Sequence, residues 1–551
     1  MTNKELADII FPNITKDINY YENLYPKRNL KEGAIVTRFA PSPTGFVHMG
    51  SLLTAFIEHF VAKTTGGVFY LRIEDTDQKR SVENGIQGII NDLQNFNITI
   101  DEGVKSETEQ IGEYGPYIQT ERKEIYQTYA KYLIEQGLAY PCFCKEQELE
   151  IMRKNQEAKK SRIGYYGGWA KCRDLKNEER AERIKNGESF VIRLKSPGNY
   201  TRKVVLNDLV RGKIEFPEND LDVVLIKSDG IPIYHFAHVI DDHLMQTTHV
   251  LRAEEWVSST PIHLQLFDIF KFPVPKYGHL GLVMKIDENG TRRKLSKRKD
   301  PEAAVSFYHE QGLPIEAVKL YLLTLANSNF ESWLENNLDK DIYEFKFDFK
   351  KISLSGSLFD TEKLYNISKN YISRLKASEV YDALVDYTSE FDREFYELLT
   401  KYKEYSTAIL NIEREQKKPR KDYSSYSEIR NSVWYMYDEL FDKEEKNYEY
   451  QNISNQEEIA NILNKYLEIY DEKDDKEEWF NKIKLLCDKL GYASNMKEYK
   501  ENPEKFKGNV ADISTVLRVS LTTKHQTPDL YEIMRLLGTS KIEERYKKVC
   551  G

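Results

Sequence analysis

Arg38-Phe-Ala-Pro-Ser-Pro-Thr-Gly-Phe-Val-His-Met-Gly-Ser51 carries the chain out of an apolar run and into the start of a helix. Residues 34–39 read as a short strand, and Pro-Ser-Pro-Thr-Gly as the loop that follows it. Leu52, Leu53, Phe56, Ile57, Phe60 and Val61 then recur with the spacing of one helix face. Gly66-Gly67 closes that helix ahead of a second apolar strand, residues 68–73. A strand–loop–helix–strand unit predicts a parallel sheet with its ligand beyond the carboxyl end of the first strand. No Gly-x-x-x-x-Gly-Lys-Ser/Thr loop occurs, so phosphates would have to be held at a helix N-terminus instead. His48 sits where an imidazole N–H reaches a phosphate oxygen. Gly50 removes a side chain where a ligand approaches the backbone, and Ser51 offers a hydroxyl donor.

Far downstream, Lys294-Leu-Ser-Lys-Arg298 forms a compact cationic loop after a strand at residues 282–286, with Asn289-Gly290 as a hinge. Lys294 and Lys297, flanking Ser296, would neutralise charge that builds on departing phosphates. Three further segments lie between the two motifs. Leu71-Arg-Ile-Glu-Asp-Thr-Asp-Gln-Lys-Arg80 sets carboxylates directly after the second strand. Gly230-Ile-Pro-Ile-Tyr-His-Phe-Ala-His-Val-Ile-Asp-Asp-His-Leu-Met245 and His249-Val-Leu-Arg-Ala-Glu-Glu-Trp-Val-Ser-Ser-Thr-Pro261 precede the basic loop.

In this order, the first and last motifs look like the HIGH and KMSKS signatures of class I aminoacyl-tRNA synthetases. The whole set resembles glutamyl-tRNA synthetases of the bacterial type. The likeness is dense over residues 34–300 and weaker beyond, where Lys417-Lys-Pro-Arg-Lys-Asp422, Leu517-Arg518, Thr527-Pro-Asp-Leu530 and Leu536-Leu-Gly538 look like the family's anticodon-binding region. It implies an α/β Rossmann-type catalytic domain built on a parallel sheet, an α+β insertion, and all-α C-terminal tRNA-binding domains. By motif position, Arg38, Ala40, Ser42, Glu74, Tyr234, His238 and Arg252 would take L-glutamate. His238 stands where the family commonly has asparagine. His48, Gly50, Ser51, Glu255, Trp256, Lys294, Ser296 and Lys297 would take ATP with Mg²⁺, and His48, Lys294 and Lys297 would be catalytic. The chemistry suits that set: two carboxylates and an ammonium call for guanidinium forks (Arg38, Arg252), a phenol donor (Tyr234) and one carboxylate (Glu74).

Charge and composition agree with such an enzyme. The 551 residues suggest three to four domains. A net charge of −9 excludes an indiscriminate polyanion binder but leaves room for local basic patches such as residues 292–299 and 417–421. No apolar run reaches the length of a membrane span, no signal peptide is read at the start, and five cysteines make no disulfide scaffold. A cytoplasmic monomer is expected. The domains are expected at residues 1–33 (an extension), 34–138 and 223–300 (the two Rossmann halves), 139–222 (an acceptor-binding insertion), 301–375 (a helical stem-contact domain) and 376–551 (an α-helical anticodon-binding domain).

Cys142-x-Cys144 and Cys172 lie in the insertion, with Tyr166 or Asp174 as a fourth ligand of a zinc knuckle. A buried cluster of free thiols is the alternative. The tRNA partner is tRNA-Glu, with tRNA-Gln left open. A truncated paralogue that modifies a tRNA base is disfavoured by the length beyond Arg298. An inactive tRNA-binding homologue is disfavoured by His48, Glu74, Arg252, Lys294 and Lys297 all being present.

Overall fold

Val36–Phe39 is buried along its whole length, as a strand covered on both faces must be. It runs parallel to Val68–Leu71, with Val36 opposite Val68 and Phe39 opposite Leu71. Glu102–Val104 continues the parallel set and Gln110–Ile111 ends it antiparallel. On the other flank the Thr248 amide donates to the Val36 carbonyl at 3.1 Å, and His249–Ala253 runs parallel to Lys276–Leu280. The chain thus leaves Val36–Phe39 on one side and returns on the other. This is a switch point of an open α/β sheet, where ligands bind beyond the strand carboxyl ends.

The computed structural model describes residues 1–45, 47–77, 79, 82–296 and 298–551. It divides into two units: Met1–Phe307 with Lys319–Asp360, and Tyr308–Val318 with Thr361–Gly551.

In the first unit the Met49–Thr65 helix buries Leu52, Phe56 and Phe60 among many others, and that packing rather than helix propensity holds it in place. Gly66 ends it in the left-handed region at φ 66°. A Cβ on Gly67 would lie 1.9 Å from the Ile35 carbonyl oxygen, so the glycine pair lets the chain reverse tightly into the second strand. The expected strands at 34–39, 68–73 and 282–286 appear as Val36–Phe39, Val68–Leu71 and Val283–Ile286. Their ends leave the ladder early; Ile73, for example, donates to the Tyr117 carbonyl instead. Residues 1–33 carry two helices, Asn3–Ile10 and Ile18–Leu24, followed by a half-buried ion pair of Arg28 with Glu102 at 2.6 Å.

The stretch expected as an insertion carries the antiparallel pair Ala139–Cys142 and Val191–Leu194 and a hairpin of Lys203–Asp208 with Gly212–Pro217; Val224–Ile226, expected to open the second Rossmann half, instead pairs antiparallel with Val191–Leu194. Val283–Ile286 pairs antiparallel with Arg292–Lys294, so the basic segment begins as the second arm of a hairpin.

The second unit holds no strand among its described residues. Leu384, Ile462, Ile483, Leu517, Ile533 and Tyr546 belong to its buried core. Several of its helices start on side-chain caps, such as the Asp475–Glu478 and Asn509–Asp512 boxes. Among the described residues of the chain, no helix is long and apolar enough to cross a membrane.

Candidate active site

A cavity of about 1020 Å³ opens in the first unit at the switch point. Arg38, Ala40 and Ser42 reach it from the end of the first strand and its loop, Glu74 from beyond the second. His48, Gly50 and Ser51 reach it from the start of the Met49–Thr65 helix, and Tyr234, Arg252, Glu255 and Trp256 from the facing half. Lys294 and Ser296 line it from the basic hairpin. A Cβ on Gly50 would meet nothing within 4 Å; the space there is open to a ligand. Lys297 lies outside the described residues.

One corner is an ionic cluster. Arg72, fully buried, donates from Nη1 to Asp242 Oδ1 at 2.6 Å and from Nη2 to Glu74 Oε1 at 2.9 Å. Arg38 reaches both Asp242 oxygens, at 3.2 and 3.3 Å, and Glu58 at 3.5 Å. Burial alone would raise the Asp242 carboxyl, but Arg38 and Arg72 outweigh it and hold the group well below the usual carboxylate range. Burial raises Glu58 strongly and Glu74 less so, with Arg38 and Arg72 respectively opposing it. Next to it, Asp241 accepts from Arg122 Nε at 2.7 Å, Tyr126 Oη at 2.7 Å and Gln119 at 2.9 Å. That tether fixes the Tyr234–Leu244 helix, whose first residue is the Tyr234 of the cavity wall.

His238 does not line the cavity. It is fully buried one layer back, stacked behind Tyr234 with ring centroids 5.6 Å apart. Its Nε2 lies 2.9 Å from Tyr277 Oη and its Nδ1 3.0 Å from Asp242. At position i+4 it lies one turn further along the same helix face as Tyr234 but deeper in the fold, so it backs the wall that Tyr234 forms. Burial pushes its imidazole down to about 3.

The opposite wall centres on Arg252. Tyr234 Oη lies 3.3 Å from its Nη1, and the Tyr234 ring packs on Trp256 at 4.4 Å. At the mouth, Lys294 Nζ lies 3.9 Å from Glu255, both side chains being largely exposed. The loop behind Lys294 is fixed by Asp300, which accepts from Arg293 at 2.6 and 2.7 Å and from the Ser296 amide at 2.8 Å. The Arg293 bonds, ahead of opposing burial, hold Asp300 down at about 2. Sequence reasoning missed Arg72, Asp242, Glu58, Asp300 and the histidines around Arg252. The available signal was charge inside apolar segments, such as Arg72 between Leu71 and Ile73.

In the insertion, Cys142, Cys144 and Cys172 bring their sulfurs within 4.8 Å of one another. Cys144 Sγ and Cys172 Sγ are 3.7 Å apart, close to the ~3.8 Å edge of a tetrahedron with Zn–S bonds of about 2.3 Å. Of the two residues expected as alternatives for the fourth ligand, Asp174 does not join them, and neither does Tyr166. Its hydroxyl donates to the Arg162 carbonyl at 2.9 Å. Tyr165 takes the place, with Oη 3.4 Å from Cys142 Sγ and 3.3 Å from Cys144 Sγ. The chain is extended at Tyr166 (φ −154°, ψ 157°), and neighbouring side chains on an extended chain point to opposite sides.

A Rossmann-type parallel sheet with a helix N-terminus on one side of its cleft and a basic loop on the other defines a class I aminoacyl-tRNA synthetase. The family described as tRNA synthetases class I (E and Q), catalytic domain, matches residues 34–366, and the chain belongs to it. A glutamate–tRNA ligase of Clostridium perfringens (strain SM101 / Type A) is 48% identical over 549 residues, covering 100% of this chain and 99% of that protein. The glutamate–tRNA ligase of Acetivibrio thermocellus is 47% identical, with 100% of both chains covered. Among solved structures, a glutamate tRNA ligase from Elizabethkingia meningosepticum in complex with its amino acid superposes with a TM-score of 0.74 at 26% identity, over 94% of this chain and 99% of that one.

Proposed function

We propose that this synthetase is a glutamate–tRNA ligase that activates L-glutamate with ATP and passes it to the 3′-terminal ribose of tRNA-Glu, releasing AMP and pyrophosphate. The observation that carries this reading is the meeting, in one cavity, of His48, Gly50 and Lys294 with Arg38, Glu74, Tyr234 and Arg252. The first group suits a nucleoside triphosphate and the second suits a dicarboxylic amino acid.

Glutamate binds with its ammonium on Glu74 and its carboxylates toward Arg38 and Arg252, with Tyr234 donating beside Arg252; Ala40 and Ser42 close the pocket. ATP lies over Gly50 and Ser51, its adenosine near Glu255 and Trp256. In the first step the α-carboxylate oxygen attacks the α-phosphorus, forming the mixed anhydride and expelling pyrophosphate. That nucleophile is ionised at neutral pH, so no general base is needed. Rate would come from alignment and charge neutralisation, with His48 on one side and Lys294 and Ser296 on the other; Lys297 of the same motif is assigned the second cation. Bound to the phosphates, Mg²⁺ would offset part of their charge. In the second step the terminal ribose 2′-OH attacks the anhydride carbonyl and AMP departs.

The helical second unit supplies tRNA binding, with residues 417–421 as one basic patch. Cys142, Cys144 and Cys172 would hold a structural zinc with Tyr165 adjacent; three soft thiol donors suit that ion. The test is charging of purified tRNA-Glu and tRNA-Gln with labelled glutamate and ATP. Charging of tRNA-Glu is expected; failure on both overturns the reading, and charging of both would make the enzyme non-discriminating.

A further inference from the structure

The two arginines of the cavity are held in opposite ways. Arg38 is bound by carboxylates, Asp242 and Glu58. Arg252 forms no ion pair among the described residues, although it is 6% exposed. Every acceptor around it is neutral. Nε donates to His279 Nε2 at 3.0 Å, Nη1 lies 3.2 Å from His263 Nδ1 and 3.3 Å from Tyr234 Oη, and Nη2 donates to Thr260 Oγ1 at 3.1 Å and the Trp256 carbonyl at 3.4 Å. The two longest contacts, to Tyr234 and Trp256, belong to residues that line the cavity, whereas His279, His263 and Thr260 do not line it. The guanidinium is therefore anchored from behind and weakly engaged in front.

Each imidazole is kept in the tautomer that accepts. His279 Nδ1 lies 2.6 Å from Asp208 Oδ2, so its proton is there and Nε2 presents a lone pair to Arg252. Asp208 is itself fixed by the Val210 and Arg211 amides, which donate to Oδ1 at 2.9 and 2.8 Å. His263 Nδ1 accepts from Arg252, which places its proton on Nε2, 2.9 Å from His235 Nδ1. Burial lowers all three imidazoles, His235 to about 4, so the cage is uncharged at neutral pH.

We propose that His279 and His263, set as neutral acceptors by Asp208 and His235, are positioning residues that leave Arg252 without a protein carboxylate, so that it takes the side-chain carboxylate of glutamate and rejects the neutral amide of glutamine. The proposal rests on the reading of Arg252 as a glutamate ligand. A guanidinium already neutralised by the protein would gain little from a second carboxylate and would tolerate an amide. One held by neutral groups in a buried site keeps its full charge for the ligand. Glutamine can offer one carbonyl oxygen but no charge, so the desolvated cation stays uncompensated.

Three variants test it, read by direct binding of glutamate and of glutamine, by KM for glutamate and ATP in charging, and by thermal unfolding. In Asp208→Asn the amide oxygen is claimed by the Val210 and Arg211 amides, so its NH₂ faces His279 Nδ1 and turns Nε2 into a donor against Arg252. KM for glutamate should rise at least about tenfold with KM for ATP moving less than about twofold. His263→Asp brings a carboxylate to Arg252 and should cut the glutamate-to-glutamine binding ratio at least about tenfold. His279→Gln keeps a neutral acceptor and should retain most of that ratio. If both Asp208→Asn and His263→Asp leave the ratio within about twofold, or raise both KM values alike, the proposal is overturned. Should Asp208→Asn unfold, the other two variants decide. Arg252→Gln separates the readings: an unchanged KM for glutamate sinks the pocket assignment itself, whereas a large rise there with silent cage variants sinks only the cage.

Discussion

The buried arginines beside the cavity and those in the core of the second unit do different work. In the first, Arg38, Arg72 and Arg122 meet carboxylates deep beside the cavity, and Arg252 meets imidazoles. In the second, Arg414 donates to the carbonyls of Leu410, Ile372 and Leu375, and Arg545 mainly to those of Tyr435 and Leu521, with Asp438 at 3.1 Å on its outer side. Several of those carbonyls belong to helix ends or the turns that follow, where main-chain acceptors lack a partner inside the helix. The contrast teaches how to separate a binding site from a scaffold when both bury charge. A buried cation spent on backbone carbonyls completes secondary structure. One arrayed with ionisable side chains around an open volume is poised for a ligand.

The sharpest way to break that contrast is Asp242→Ala. It leaves Arg38 and Arg72 without their shared carboxylate and should cost the first unit ~3–5 kcal/mol, because an uncompensated buried charge remains. Urea unfolding followed by hydrogen exchange resolves the unit affected, and glutamate binding should weaken with it. A loss below about 1 kcal/mol would show that the cluster rearranges at little cost and does not preorganise Arg38.

The Asp242 cluster also marks where sequence reasoning stops. The strand–loop–helix beginning at Arg38 was legible because local rules govern it: apolar period, a Pro/Gly loop and the Gly66-Gly67 stop. The cavity's place at the strand carboxyl ends follows from the same topology. The pairings were not legible. Arg38 and Asp242 stand 204 residues apart and Arg72 and Asp242 170, and residue type alone does not choose partners across such distances. The same holds for Asp208 with His279, 71 residues apart. The smaller differences are local: His238 lies one helical turn beyond Tyr234 and deeper, and Tyr165 rather than Tyr166 faces the thiols.

Acid offers a second probe. Eight of the ten histidines lie in the first unit. Burial drops His59, His235 and His249 to about 4 each, with Lys63 and Lys319, Arg252, and Lys276 respectively adding to the effect. A folded-state pKa below the unfolded value of ~6.5 means that the unfolded chain binds more protons, so stability falls as pH drops from 6.5 toward 4. Each of the three should remove about 1 kcal/mol by roughly pH 5.5. The first unit should therefore lose protection from hydrogen exchange before the second, which carries only His309 and His525. Equal losses in both units over that window would contradict the assignment.

The smallest effect belongs to the second unit and should be purely structural. Asp475 caps the Lys476–Leu490 helix, accepting from the Glu477 and Glu478 amides at 2.9 Å each, while Glu478 reaches back to the Asp475 amide at 3.2 Å. Replacing Asp475 with alanine orphans both amides and removes a carboxylate from the positive end of the helix dipole, a loss of ~1 kcal/mol. The cap is exposed, so water satisfies much of what the side chain gave up, which is why the cost stays small. Stability of the second unit should fall by that amount while glutamate and ATP binding remain as in the parent enzyme. A change in either affinity would mean that the helical unit takes part in amino-acid activation.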